Sequence, residues 1–317
     1  MNRRLSLLLI ALIVLIAGSC LAAFLIWAER RPAAHYLSDL RSAISSEPAP
    51  AQTRGNLLLI RPQLYPMDYQ SPAHLRLKLA AALDNARDAG LLGPDTLVAL
   101  PEHIGTWLLA RGEKVEFYQA RSRQEVRDWL LLGNPLLAIE ALLLNLDAER
   151  LDEALLRMKA EQMAEDYQQL FGGLAREYRV TLLAGSILLP EPRVEDGRLH
   201  SGTGPLRNLS LVFSPQGTIQ GSPHLEPWPW RADATPPQRL SVGAVDYRVE
   251  RDWRPGYPQS SVHLVDGDLS SPALFLRGKL DWPIGGASRD ILLIPREVEQ
   301  ASQAPGSHLL NLWIGAE

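Results

Sequence analysis

The feature that most constrains the fold is an uncharged segment that runs from Leu5 to Trp27. As an α-helix it would rise about 1.5 Å per residue, which brings it close to the roughly 30 Å hydrocarbon thickness of a bilayer. Arg3 and Arg4 precede the segment and slightly favour a cytoplasmic N-terminus. The sequence therefore predicts a short tail over residues 1–4 and a single-pass signal anchor over 5–27. We expect a bacterial inner-membrane protein whose C-terminal domain lies in the periplasm.

Two processing alternatives compete with an uncleaved anchor. Ala17-Gly18-Ser19-Cys20 resembles a bacterial lipoprotein processing box, which would leave Cys20 lipidated. Cleavage without lipidation is the other alternative, although signal peptides have a shorter apolar region, of about 7–15 residues. Because the uncharged segment continues past Cys20 to Trp27, the sequence favours the anchor.

Composition excludes several classes of protein. Hydrophobic residues make up 46% and charged residues 21% of the chain, which excludes an intrinsically disordered protein. Lys plus Arg number 32 against 36 Asp plus Glu, and no basic block occurs, so we expect no nucleic-acid partner. The only cysteine, Cys20, lies inside the apolar segment. A disulfide, a cysteine-based zinc site and a soluble thiol nucleophile are therefore excluded, and the sequence predicts no cofactor and no metal.

Short apolar runs and helical periodicity alternate beyond the anchor. Residues 28–55, with Pro48 and Pro50, are typical of a short helix followed by a linker. Helical spacing is present over 75–86 and 149–178, and Ser214–Gly217 predicts a hairpin turn that leads into 218–220. The predicted strands are Asn56–Ile60, Leu97–Leu100, Val180–Ser186, Asn208–Phe213, Val262–Val265 and Ile291–Ile294. This order predicts a layered α/β domain over 56–317.

Glu102 directly follows a predicted strand, in the string Pro101-Glu102-His103. Open α/β sheets place binding groups at the carboxyl ends of their strands. Glu102 is therefore a candidate base or ligand-binding group, and the alternative is a structural carboxylate that accepts hydrogen bonds from backbone N–H groups.

Several segments resemble the carbon–nitrogen hydrolase, or nitrilase, superfamily, and they follow one another in the order of that family. The hairpin and the string from His224 to Trp228 are most similar to the branch of apolipoprotein N-acyltransferase. The resemblance implies a nitrilase-like α-β-β-α sandwich. The segments that carry it are Leu97–Glu102, Leu174–Tyr178 with Leu183–Ser186, Asn208–Phe213 with Pro215 and Gly217, and His224–Trp228.

The family's reaction uses a glutamate base, a lysine that stabilises the oxyanion and a cysteine nucleophile. Glu102 matches the base. The lysine position, two residues before His224-Leu225, carries Ser222, and the cysteine position carries Asp266. Since a carboxylate is a weak nucleophile towards amides, the resemblance implies a pseudoenzyme with a binding or assembly role in the cell envelope.

Three alternatives stay open. The first is an active amide hydrolase or N-acyltransferase that uses Glu102 as base and a nucleophile other than cysteine. The second is a Mg²⁺ or Ca²⁺ site made of carboxylates. The third is a structural subunit of an envelope complex. The candidate nucleophiles are Asp266, Ser270 and Ser271 with His224 or His263 as helper, and the carboxylates are Glu102, Asp266 and Asp268.

Two further features concern partners. Relative to the resembled family, the sandwich is C-terminally abbreviated after Asp266, so we expect a protein partner or a second copy to cover the exposed sheet. An apolar insertion around 128–146 is interrupted by Gly133-Asn134-Pro135, which predicts two helices too short to span a bilayer. The insertion either packs in the core, dips into the membrane lipid that holds the anchor, or binds a protein.

Overall fold

A computed structural model describes residues 3–31, 36–144, 151–229, 235–254, 257–265, 274–276, 279–280 and 305–315. The chain divides into two compact units. The first comprises Met1–His35 and Gly112–Met158, and the second comprises Tyr36–Arg111 and Lys159–Glu317.

The helices and strands of the described residues are as follows. The α-helices are α1 Arg3–Glu29, α2 Pro72–Asp88, α3 Val115–Tyr118, α4 Arg123–Gly133, α5 Pro135–Leu144, α6 Leu151–Met158 and α7 Ala160–Tyr178, and the 3-10 helices are Pro66–Tyr69 and Thr106–Ala110. The strands are β1 Ser42–Ser46, β2 Thr53–Arg61, β3 Gln63–Leu64, β4 Thr96–Ala99, β5 Thr181–Pro190, β6 Arg193–Glu195, β7 Arg198–His200, β8 Leu206–Phe213, β9 Ile219–Pro227, β10 Gln238–Val242, β11 Val245–Arg254, β12 Tyr257–Leu264, β13 Leu274–Leu276, β14 Lys279–Leu280 and β15 Ser307–Gly315.

The first unit contains the apolar N-terminal helix. Within α1, Ser6–Glu29 has a mean hydropathy of 2.9 and is long and apolar enough to cross a membrane. Its Leu and Ile side chains are exposed along its length, as a lipid-facing helix requires. The predicted N-terminal apolar helix is confirmed by its length and composition.

The apolar insertion forms two short helices, as predicted. The Ser122 side chain accepts a hydrogen bond from the backbone N–H of Glu125 at 3.1 Å and caps the start of α4. Asn134 ends α4, and Pro135 begins α5 because its fixed φ suits the first position of a helix.

A seven-stranded mixed sheet forms the centre of the second unit, in the order β1-β15-β2-β4-β5-β8-β9. Strands β2, β4 and β5 run parallel, and the β5–β8 and β8–β9 pairs are antiparallel. The predicted hairpin is present, with the Gly217 N–H bonded to the Ser214 carbonyl at 2.8 Å. Helices α2 and α7 pack against this sheet.

A second sheet of four strands, in the order β10-β11-β12-β13, packs on the first. One buried cluster joins them: Leu57, Leu97, Leu183 and Val212 come from the large sheet, and Val249 is among those from the small one. The structure thus confirms the mixed α/β fold with a central sheet.

The structure differs from the sequence prediction in several elements. Residues 42–46, predicted as linker, form strand β1, and β15 and the β10–β11 hairpin were not predicted. The long predicted helix is two helices, because Lys159 leaves helical geometry at φ −118° and ψ 13° and donates to the carbonyl of Arg111 at 2.9 Å. The predicted strand Ile291–Ile294 lies outside the described residues.

Candidate functional site

Glu102 lies in the turn that follows β4, and this turn is fixed to β5. The backbone N–H of His103 donates to Ser186 Oγ at 2.8 Å, and the N–H of Gly105 donates to the Ser186 carbonyl at 2.9 Å. One buried serine of β5 therefore anchors the turn through both its side chain and its backbone.

The turn can approach β5 because Gly185 has no side chain. Gly185 has φ +62°, and a Cβ there would lie 2.1 Å from the carbonyl oxygen of Pro101. The regular β5–β8 register is interrupted between Leu183 and Ser186, where this glycine lies. Tyr167 Oη donates to the Gly185 carbonyl at 2.9 Å and holds the irregular segment in place.

The Glu102 carboxylate is buried and paired with a cation. Arg251 Nε, on β11, donates to Glu102 Oε1 at 2.9 Å, and the two side chains are only 3% and 2% exposed. Asn208 Nδ2, on β8, donates to Glu102 Oε2 at 3.2 Å. Three elements distant in sequence thus meet at one carboxylate.

The surroundings of Glu102 favour its charged form. Burial alone would raise the pKa of this carboxyl. The Arg251 cation opposes burial, as do hydrogen bonds from Ser186 and Asn208 and the nearby His103, and together they hold the pKa below its ordinary value. A carboxylate with a lowered pKa is a weaker base, so it accepts a proton less readily than an ordinary glutamate.

A second buried carboxylate lies beside the first. Asn208 Nδ2 also donates to Glu226 Oε2 at 3.2 Å, so a single amide bridges Glu102 and Glu226. His224, on the same strand as Glu226, has its Nε2 3.4 Å from Glu226 Oε1. Ser210 stands directly opposite His224 in the β8–β9 register.

His103 adds an aromatic side to the site. It has φ 58°, a left-handed conformation that few residues other than glycine adopt. Its ring meets the ring of Trp228 edge-on, with the centroids 5.4 Å apart. Burial lowers the pKa of His103, although Glu102 and Glu226 act in the opposite direction. The net effect is a lowered pKa, which favours the neutral imidazole.

Several buried polar atoms around Glu102 have no hydrogen-bond partner within the part of the chain that the structure describes. Such atoms are costly to bury and accept a polar ligand or ordered water readily. They comprise Arg251 Nη1, Asn208 Oδ1 and Ser210 Oγ. The site is thus able to bind a group that both donates and accepts hydrogen bonds.

The sequence-predicted site residues have different placements. Glu102 lies at the centre of the network, and Ser222 lies exposed on β9, where it lines a cleft of about 400 Å³ with Gln238 and Tyr247. Asp266, with Asp268, Ser270 and Ser271, lies outside the described residues. The three assigned roles stay predictions.

Two other sequence predictions concern His263 as a candidate base and a metal site made of carboxylates. His263, on β12, has its Nε2 3.2 Å from Ser261 Oγ and 3.6 Å from Glu250 Oε2. Within the described residues, no group of three or more His, Cys, Asp or Glu side chains is placed to hold a metal ion.

Arg251 is a residue of the site that was not predicted from the sequence. In β11 the inward positions alternate, and Val245, Tyr247 and Val249 are all buried. Arg251 is the next residue in this two-residue period. An arginine on the buried face of a strand indicates a buried acidic partner, and this signal was available in the sequence.

No family model matches the chain, and no curated protein matches it either. Solved structures similar to it include an amidase from Nesterenkonia sp., at 15% identity and a TM-score of 0.32 over 62% of this chain and 55% of that one. Nit3 of Saccharomyces cerevisiae, a member of branch 10 of the nitrilase superfamily, is 15% identical with a TM-score of 0.25, over 56% of this chain and 47% of that one. The chain spans about half the length of these proteins.

Proposed function

We propose that this chain is a membrane-anchored, nitrilase-like pseudoenzyme whose folded domain binds a ligand or partner on the periplasmic side of a bacterial inner membrane. The observation that carries the proposal is the buried ion pair between Arg251 and Glu102, joined at 2.9 Å. A general base must accept a proton from its nucleophile, and it works best with a pKa near the operating pH. Glu102 has a lowered pKa, and both of its oxygens accept hydrogen bonds.

The segments that carry the family resemblance support a retained binding site. Glu102, Ser186 and Asn208 belong to three of these segments, and the side chains of Ser186 and Asn208 both donate hydrogen bonds to the Glu102 carboxylate. The chain's only cysteine, Cys20, lies in the apolar helix α1, outside the compact unit that contains this site. The hydrogen-bond network around Glu102 and the location of the only cysteine in α1 together favour binding without turnover.

Membrane lipid and a covering protein are the proposed partners. In the insertion, Leu136 is 64% and Ile139 is 56% exposed, which suits contact with the acyl region of a membrane better than contact with water. The protein partner or second copy expected to cover the sheet stays a prediction.

Turnover measurements test the pseudoenzyme proposal. The full chain, purified in detergent, is incubated with a panel of short amides and with phospholipid acyl donors plus a peptide amine, and ammonia release and acyl transfer are measured. We expect the wild type and Glu102→Gln to give the same background rate. A wild-type rate above background that Glu102→Gln abolishes would overturn the proposal.

One observation favours the alternative of an active enzyme. Ser210 Oγ is buried without a partner in the described residues, and Ser210 faces His224, which contacts Glu226. These residue types are those of a Ser-His-acid nucleophile system, although no Ser210–His224 hydrogen bond is present. If turnover is found, Ser210→Ala abolishes it under this alternative, while Ser222→Ala on the exposed strand preserves it.

A further inference from the structure

A cleft of about 450 Å³ opens where α1 ends, in the first unit. Trp27, Arg30, Arg31, Lys114 and Glu116 line it. Three cations thus face one carboxylate, so the lining is positive in a chain whose formal net charge is -4. The cleft is distinct from the Glu102 site, whose residues belong to the second unit.

Lys114 fixes the floor of the cleft to the end of the helix. Its Nζ donates to the carbonyl of Trp27 at 2.7 Å and to that of Arg30 at 3.0 Å. The Trp27 carbonyl also accepts from the backbone N–H of Arg30 at 3.3 Å, so Lys114 supplies a second donor at the end of the helix. Nζ also lies 4.0 Å from the centroid of the Trp27 ring. An ammonium group has three N–H donors, so one remains for a ligand.

The two arginines differ in how far their donors are used. Arg31 Nη2 donates to the Gly133 carbonyl at 2.6 Å and to Asn134 Oδ1 at 3.3 Å, both neutral oxygens. The Arg30 side chain is exposed and has no partner among the residues that the structure describes. The N–H donors of the Arg30 guanidinium are therefore available to a ligand, and Arg31 contributes positive charge to the lining of the cleft.

The location of the cleft identifies the kind of anion it suits. α1 is apolar up to Trp27, and tryptophan is enriched at the level of lipid headgroups. A guanidinium fork matches the oxygens of a phosphate with two parallel hydrogen bonds. We propose that this cleft binds the phosphate of an anionic phospholipid, with Arg30 and Lys114 as donors. The proposal rests on α1 spanning the membrane and not on the chemistry of the Glu102 site.

Lipid competition tests the proposal. The full chain is reconstituted in nanodiscs of equimolar phosphatidylglycerol and phosphatidylcholine. Native mass spectrometry then measures which lipid stays bound to the chain after its release from the nanodisc. We expect phosphatidylglycerol to be retained over phosphatidylcholine, and Arg30→Gln to reduce this preference about five-fold, the usual effect of one cation near an anionic surface. Arg123→Gln removes an exposed cation of α4 outside the cleft and serves as the matched control.

Three results would overturn the proposal. One is equal retention of the two lipids by the wild type, and another is the same loss of preference in Arg123→Gln as in Arg30→Gln, which would indicate general charge attraction. The third is displacement of phosphatidylglycerol by equimolar inorganic phosphate. Because the Arg30 side chain is exposed and makes no hydrogen bond or ion pair in the described residues, we expect its substitution to leave folding intact.

A carbonate wash of membranes distinguishes failure of the lipid site from failure of the membrane anchor on which the lipid site rests. Release of the wild-type chain would overturn the membrane anchor and the lipid site together. Retention of the chain without a preference for phosphatidylglycerol would overturn the lipid site alone, and neither result bears on the Glu102 site.

Discussion

At the scale of single residues, the Arg251–Glu102 pair is the group most sensitive to substitution. Both charges are almost completely removed from water, and each is the other's main compensation. A buried ion pair is weak evidence for stability by itself, but removal of one partner leaves an uncompensated charge in the interior.

Arg251→Leu should therefore destabilise the domain by about 3–5 kcal/mol, whereas the double variant Arg251→Leu with Glu102→Leu should recover most of the loss. Denaturant unfolding of the full chain in detergent measures both. A double variant as unstable as the single one would show that uncompensated charge is not the cause.

The second residue-scale prediction concerns pH. Burial lowers the pKa of His103, so the folded state binds fewer protons than the unfolded state as the pH falls. The contribution of His103 to the free energy of unfolding is fully present above its unfolded pKa of about 6.5. It is lost as the pH falls through the folded pKa of His103. The lowered pKa of Glu102 acts in the same direction below about pH 4.3, near its unfolded pKa.

His103→Asn should flatten the fall in the free energy of unfolding between pH 7 and pH 5, by at most about 1.4 kcal/mol per pH unit for one proton. Asparagine is the appropriate replacement because it tolerates the positive φ of this position. The measurement is unfolding at a series of pH values, with the range from pH 7 to pH 8 as internal reference. His263, whose pKa burial also lowers, should supply part of the slope that remains. An identical slope in wild type and variant would contradict the prediction.

At the scale of elements, the site depends on the close approach of the Glu102 turn to β5. Gly185 permits this approach because a Cβ would lie 2.1 Å from the Pro101 carbonyl. Gly197 offers a comparison, since it also has a positive φ, +75°, but a Cβ there would meet nothing within 4 Å.

Gly185→Ala and Gly197→Ala should both incur backbone strain of order 1–3 kcal/mol. Only Gly185→Ala should add a clash with backbone, so we expect its destabilisation to exceed that of Gly197→Ala by about 2 kcal/mol or more. Thermal unfolding of the two variants measures the difference, and equal losses would argue against the close approach.

Some elements were predictable from sequence for a physical reason. Strands β2, β4 and β5 are largely buried on both faces and contain unbroken apolar runs. β15 escaped detection because buried polar residues interrupt its pattern. Asn311 is one of them, and its amide accepts a hydrogen bond from Asn56, which lies 255 positions earlier. Such a partner cannot be read from neighbouring residues.

The candidate site was predictable to a similar extent. Glu102, Asn208 and His224 lie in segments that the family resemblance singled out. Arg251 does not, and its pairing with Glu102 bridges 149 positions. Local patterns indicate that an inward arginine needs an acid, but the fold decides which acid.

At the scale of the whole molecule, the apolar helix α1 is the proposed membrane anchor. An arginine at the centre of a membrane helix costs roughly 2.5–3.5 kcal/mol of insertion free energy, whereas one near the end reaches the interface. Ile16→Arg should therefore release a large fraction of the chain from membranes on a carbonate wash, and Ser6→Arg should not. Membrane fractionation measures this, and equal retention of both variants would contradict an anchor made by α1.

Strand β15 has a consequence for biosynthesis. It lies between β1 and β2, so the last described segment of the chain fills a gap between two of the earliest strands. Asn56 of β2 and Asn311 of β15, which hydrogen-bond to each other, are 255 positions apart, so the large sheet closes only after β15 has been synthesised. During that interval one edge of β2 is unpaired, and an unpaired strand edge is a site at which chains associate wrongly.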